Sequence, residues 1–192
     1  QQLDIPQTAL QSYNQLAWFD GTADGVLISD NAALDLGTGD FTISLWANVS
    51  DWTSQKLLYK QQDSNNRWYM AGTSADTLYF FSKIGGVEQI KYEGTAGALT
   101  AHQNKWVHLV IVADRSDSIK GYINAELDDS DSGDTTDIDN SGNLGIAYDG
   151  TSPGANGDGL VMTEISLFKG VALSLAEVQE LFNDGVPLAA TS

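Results

Sequence analysis

Cysteine is missing altogether from the 192 residues. That excludes a disulfide framework and any thiolate metal site. It leaves the compartment open, because a chain of this length can bury roughly 70% of its unfolded surface without covalent staples. Positive charge is scarce: nine Lys and Arg stand against 26 Asp and Glu, for a net charge of −17 and a pI near 4.1. Such a field repels phosphate backbones and anionic lipid, so neither nucleic acid nor membrane is an expected partner. It favours divalent cations, salty surroundings and solubility, and an acidic coat serving solubility alone gives the same numbers. No apolar run reaches the roughly 18 residues that a membrane span needs. An initiator Met and a signal-peptide pattern are both lacking, and the opening QQLDIPQTAL suggests trimming from a longer precursor, by secretion or maturation cleavage.

What is present is β-structure. FTISLWANV (41–49) alternates Phe41, Ile43, Leu45, Ala47 and Val49 with Thr42, Ser44, Trp46 and Asn48, the period-two pattern of a strand with two different faces. KLLYKQ (56–61), RWYMAG (67–72), TLYFFSKI (77–84) and EQIKYEG (88–94) follow at short spacing between Gly, Asn, Asp and Ser. WVHLVIVAD (106–114) is nearly all apolar and predicts a central strand covered on both faces. SIKGYINAEL (118–127), NLGIAY (143–148) and GLVMTEISLF (159–168) complete an all-β, antiparallel, two-sheet jelly-roll sandwich. One short C-terminal helix is predicted within 173–187, with Ser174 as N-cap and Glu177 closing a capping box. Leu173 and Val178 suit a hydrophobic staple; Val178, Leu181 and Phe182 form the docking stripe, and Gly185 with Pro187 stops the helix. Between 128 and 143 the chain carries six aspartates and Ile138 as its single large aliphatic residue, which predicts a solvated loop or long turn.

In the stretch WFDGTADGVLI (18–28), Asp20 and Asp24 sit four apart among glycines. Glycine suits a tight turn, so a dry corner and an ion-holding loop are both open readings. A second acidic stretch, DIDNSGNLGIAY (137–148), begins like an EF-hand loop with Asp137, Asp139, Ser141 and Gly142. Its twelfth position is Tyr148 rather than a bidentate Glu, and no flanking helix is predicted, so it fails as one.

Four segments together resemble the laminin-G-like, concanavalin-A-like jelly-roll family: LAWFDGTADGVLI (16–28), LDLGTGDFTISLWANV (34–49), LTAHQNKWVHLVIV (99–112) and GDGLVMTEISLFKGVALSLAEVQELF (157–182). The resemblance spans nearly the whole chain after residue 15. It implies one domain, 16–192, preceded by an arm or first edge strand at 1–15. It also implies two sheets face to face, recognition of glycan or protein, and often a structural calcium. Carried over by position, Asp20, Gly21 and Asp24 would meet Glu164 around that calcium, all of them oxygen donors suited to a hard cation. Many relatives carry Asp where this chain has Thr163, which removes one carboxylate.

Catalytic chemistry is not legible. A retaining glycosidase strand needs paired carboxylates about 5–5.5 Å apart, and the only approach is ELDDS, with Glu126 and Asp128 but Ser130 in the last place. There is no G-x-S-x-G elbow. The two histidines read as a sheet residue, His108, and an exposed loop residue, His102. The chain is therefore expected not to be an enzyme. For sugar stacking the candidates are Trp52 and the pair Trp68–Tyr69, although a Trp in a sandwich is more often core. Trp18 and Trp106 are expected in the core, and Trp46 on the opposite sheet face from Phe41 and Ile43. The favoured function is a calcium-stabilised, carbohydrate-binding surface module. The alternative is a structural or decoration subunit of a virion or extracellular appendage, with the arm gripping a neighbouring subunit. Either reading expects an extracellular, cell-surface or virion-surface location, with a glycan or surface protein as partner and a homo-oligomer or larger assembly open.

Overall fold

A computed structural model describes residues 16–21, 24–148 and 159–186. The arm at 1–15 and Pro187 lie outside the described residues. Among the described residues there are twelve strands: β1 (Ala17–Phe19), β2 (Val26–Ile28), β3 (Phe41–Asn48), β4 (Lys56–Asp63), β5 (Asn66–Gly72), β6 (Leu78–Ile84), β7 (Val87–Glu93), β8 (Val107–Ala113), β9 (Ser118–Ile123), β10 (Glu126–Ser132), β11 (Asn143–Ile146) and β12 (Leu160–Lys169). They build two six-stranded sheets ordered β1-β12-β3-β8-β9-β10 and β2-β11-β4-β5-β6-β7. Every pairing is antiparallel. The expected jelly-roll sandwich is what the structure contains.

Alternation does the packing work. Phe41, Ile43, Leu45 and Ala47 of β3 join Trp68, Met70 and Phe80 of the facing sheet in one core, with Phe41 and Phe80 ring centroids 5.3 Å apart. All seven residues of β8 are buried, because its second face lies under the helix α1 (Leu175–Phe182). Val110, Val112 and Tyr122 pack there against Val178, Leu173 and Phe182. The expected capping box is present, with Ser174 and Glu177 exchanging both bonds. The helix stops earlier than Gly185: Asn183 takes the left-handed conformation at the C-cap, φ 46°, which Asn tolerates better than most side chains.

Three expectations are corrected. Residues 128–132 are not loop but most of β10, an edge strand whose acidic side chains block further strand pairing. A bulge at Asp128 aims its carboxylate inward, where it accepts the Tyr92 hydroxyl bond at 2.8 Å. Trp18 is not core but 65% exposed, because β1 is a three-residue edge strand and Phe19 takes its inward position. Trp106, just ahead of β8, is half-buried. Trp46 lies on the second face of its sheet, as expected, stacked on Phe182 at 5.7 Å.

Two buried cations fasten the loops. Lys60, fully buried, reaches Asp30 at 2.7 Å and Asp35 at 3.3 Å and donates to the Asn140 carbonyl. The Arg115 guanidinium donates to the carbonyls of Gly37, Asp134 and Thr136. Burial lowers the Arg115 pKa, opposed by Asp134, Asp40, Asp137 and Asp139.

Candidate functional site

The Asp20–Asp24 stretch is the crossover between the sheets. β1 ends in one sheet and β2 begins in the other, and the Asp20 backbone N–H donates to the Asp24 carboxylate at 3.2 Å. Glu164 is not brought to it. Phe19 pairs with Leu160, so Asp20 falls level with Gly159, and Glu164 stands about 16 Å further along β12 at the usual rise per residue. It sits there with φ 50° in the bulge between Thr163 and Ser166. Among the described residues no three acidic or imidazole groups converge as metal ligands. Among the described residues of this turn the charged oxygen donors are the Asp20 and Asp24 carboxylates, where calcium takes six to eight oxygens in all.

The candidate aromatics separate by sheet face. Trp52 is fully buried and Trp68 is 1% exposed. Both point into the core, so neither offers a face to a sugar; Trp68 stacks instead on Phe80 at 6.1 Å. Tyr69, the next residue on β5, necessarily points the other way, onto the outer face of the sheet.

That outer face holds a feature the sequence reading missed. A register row runs from Leu27 through Gly145, Tyr59, Tyr69 and Phe81 to Lys91, one residue from each strand of the sheet. Gly145 is required by its neighbour, since a Cβ there would lie 2.6 Å from the Tyr148 Cβ. Tyr59 and Tyr69 stack with centroids 5.1 Å apart and planes 5° from parallel. Tyr69 also meets Phe81 at 5.3 Å and Tyr79 at 5.9 Å. Tyr69, Tyr79 and Phe81 are half-buried, and among the described residues no element covers them. Burial pushes the Tyr79 phenol well up, assisted by Tyr69, Glu88 and Glu93, and burial likewise raises that of Tyr69. Both therefore remain hydroxyl donors across the neutral and mildly alkaline range.

Cations frame the rings. Lys56 Nζ lies 5.0 Å over Tyr69, Arg67 5.9 Å over Phe81 and Lys91 5.9 Å over Tyr79. Lys83 pairs across the strands with Arg67 on the same face. Four of the nine Lys and Arg residues thus lie here, beside Glu88 and Glu93. Lys91 pairs with Glu93 at 2.7 Å, whereas Arg67 and Lys83 make no ion pair among the described residues.

A cavity of about 420 Å³ lies elsewhere, lined by His102, Asn124, Glu126, Leu127, Asp128 and Phe182 among others. Its Asp128 is already engaged by the Tyr92 hydroxyl and the Thr95 N–H. Glu126 is exposed on the strand beside it. His102 is held below its usual pKa by burial and then Lys105.

Comparisons with known proteins place this geometry in context. The structure resembles the binding domain of Paraclostridial Mosquitocidal Protein 1 with a TM-score of 0.68 at 19% identity, over 88% of this chain and 43% of that one. It resembles the receptor-binding domain of botulinum neurotoxin D with a TM-score of 0.69 at 13% identity, over 89% and 44% of the two chains. A third match is the binding domain of botulinum neurotoxin DC in complex with rat synaptotagmin II, with a TM-score of 0.64 at 22% identity, over 88% and 42%. At these identities the likeness is one of fold, and the chain spans less than half the length of each. No curated protein matches the sequence significantly. A family profile described as the concanavalin A-like lectin/glucanases superfamily, of laminin-G type, matches residues 20–179. The chain belongs to that superfamily.

Proposed function

We propose that the chain is a non-catalytic, extracellular recognition module that binds carbohydrate on the outer face of β4, β5 and β6. The observation that carries this reading is the half-buried cluster of Tyr69, Tyr79 and Phe81, backed by the buried Tyr59, which places hydroxyl donors and aromatic carbon on a rigid sheet. Clustered half-exposed aromatics of this kind are unfavourable for solubility, and a ligand that covers them accounts for their presence. The neighbours whose folds match are binding domains of toxins, which supports a binding role and an extracellular location. In this reading calcium is a stabilising ion at the Asp20–Asp24 turn, with the Gly21 carbonyl and without Glu164. The test is an immobilised-glycan screen of the wild type and Tyr69→Ala, run in calcium and in EGTA. Binding that Tyr69→Ala loses supports the reading, and binding that it keeps removes this face from it.

A second reading is a subunit of a virion surface or extracellular appendage. It rests on one lateral edge of the sandwich, where edge strands β1 and β2 expose Trp18, Val26, Leu27 and Ile28 at 37–65%. An exposed apolar edge is a template for strand addition by a neighbour. A concentration-independent monomer by native mass spectrometry would argue against it.

A further inference from the structure

The same outer face carries an inference about which sugars it takes, and this inference rests on the glycan reading above. Tyr59 and Tyr69 are parallel at 5.1 Å, closer than two rings lying side by side in one plane can approach. They therefore lie face to face in an offset stack, Tyr59 buried and Tyr69 half-buried at its outer side. Their flat faces, which a neutral sugar would stack against, are turned to each other and to Lys56. The edge of an aromatic ring is its electropositive part. Around these edges stand Lys56, Arg67, Lys83 and Lys91, opposed on this face by Glu88 and Glu93, in a protein whose net charge is −17.

Arg67 is the most prepared of these cations. Its guanidinium lies 5.9 Å from the Phe81 ring centroid, which restrains a side chain that would otherwise lose much rotamer freedom on binding. Its Nε is buried with no hydrogen-bond partner among the described residues, so the donors it can offer a ligand are the terminal Nη groups. Those are suited to a planar or tetrahedral anion gripped through two parallel bonds. Lys83, in register beside it, adds a second charge.

We infer that the ligand is an acidic glycan, a saccharide chain bearing carboxylate or sulfate groups, with Arg67 and Lys83 holding the anionic substituent and the half-buried Tyr69, Tyr79 and Phe81 holding the adjoining sugar. The rest of the acidic surface repels such a chain, so it is admitted at this face alone.

The experiment is retention of the full chain on four immobilised polysaccharides: a polyuronate, a sulfated galactan, the unsulfated galactan and a neutral glucan. Each is run at low salt and near 1 M salt, where the Debye length falls to about 3 Å. The wild type is compared with Arg67→Gln, Lys83→Gln, the double variant and Lys120→Gln, a cation of the other sheet. Melting curves confirm that each variant folds, and Lys83→Gln carries the test if Arg67→Gln does not. The expected result is retention on an acidic polymer, weakened at least tenfold by the double variant and by high salt, and unchanged by Lys120→Gln. The polyuronate and galactan arms then separate carboxylate from sulfate. Equal, salt-insensitive retention on the neutral polymers would overturn the inference and leave the glycan reading standing. Silence on all four would overturn both. Acid-polymer retention that the double variant keeps would overturn this site. Salt-sensitive self-association in light scattering, abolished by the double variant, would overturn it too, in favour of the acidic surface of a second copy.

Discussion

Tyr59 and Tyr69 stand ring against ring across β4 and β5, and Tyr69 also touches the rings of Tyr79 and Phe81. Tyr69 is therefore the keystone of the cluster, and Tyr69→Ala breaks three contacts at once. At about 0.5–1.5 kcal/mol for each aromatic pair, with partial compensation by repacking, the expected cost is roughly 2 kcal/mol. That corresponds to a melting temperature lower by about 4–8 °C for a chain of this size. Tyr79→Phe is the complementary variant, because it keeps the ring and removes the hydroxyl. It should leave the melting temperature within about 1 °C while weakening glycan retention. Unaltered retention would assign the Tyr79 hydroxyl no part in binding.

The sequence told the faces of a strand apart better than it told what lay beyond them. Period-two alternation separated Trp46 from Phe41 and Ile43, and the nearly all-apolar run at 107–113 required cover on both sides; the helix cap was legible because Ser174 and Glu177 interact locally. The aromatic cluster was not, since its members come from three strands and meet only through cross-strand register, which is set by bulges at residues 57 and 62 that no local pattern announces. Trp52 and Trp68 drew attention as aromatics flanked by loop-forming residues, yet loop proximity says nothing about which way a side chain points. Lys60 shows the same limit, because a lysine within a strand reads as solvent-facing until the loops bearing Asp30, Asp35 and Asn140 arrive from elsewhere in the chain.

Lys60 gives a test of those loops. Lys60→Met keeps the aliphatic stem and removes the ammonium, so the Asp30 and Asp35 carboxylates lose their shared cation and the Asn140 carbonyl loses its donor. Breaking a wholly buried pair costs about 3–5 kcal/mol. Here the aspartates keep 32% and 28% side-chain exposure, so a smaller loss, roughly 2–3 kcal/mol, is expected from urea midpoints. Adding Asp30→Asn and Asp35→Asn to Lys60→Met should recover part of it. A triple variant no more stable than Lys60→Met would show that the loss comes from packing rather than stranded charge.

Gly121 on β9 faces the buried Tyr92 ring so closely that a Cβ would fall 2.1 Å from its Oη and 2.2 Å from its Cζ. Gly121→Ala must push the ring out of the core and strain its bond to Asp128, an overpacking defect costing about 1–3 kcal/mol. Tyr92→Phe alone loses that hydroxyl bond, worth about 1 kcal/mol. Because Cζ is nearly as close as Oη, Tyr92→Phe should not rescue Gly121→Ala. Full rescue in a double-mutant cycle of thermal melts would mean that the hydroxyl alone sets the spacing between the sheets.

Calcium is tested at the crossover. Asp20→Asn with Asp24→Asn removes the two carboxylates from the turn, where the Asp24 carboxylate accepts the Asp20 N–H. If the ion binds there, wild-type protein melts higher in millimolar calcium than in EGTA by an amount that follows occupancy, and the double variant melts alike in both. Equal melting of the wild type with and without calcium would remove the ion from this account.

His108 supplies a pH dependence. Its Nε2 lies 2.8 Å from the Ser44 hydroxyl, and its ring packs against both Trp46 at 5.1 Å and Phe182 at 6.0 Å. Burial pushes its pKa down to about 4, against about 6.5 in an unfolded chain. The unfolded state thus takes up a proton first as the pH falls. Stability is full above about pH 6.5, declines between 6.5 and 4, and gains no further loss from this group below that. A shift of this size amounts to roughly 3 kcal/mol over the whole window. His102, also lowered, adds a lesser effect of the same sign. Urea unfolding at pH 7.5, 6.0 and 5.0 should therefore show a steady loss in the wild type and in His102→Gln. His108→Gln, which cannot charge, should start less stable at pH 7.5 and lose much less on acidification. A wild-type acid slope in His108→Gln would locate the titrating group outside the Trp46–Phe182 cluster.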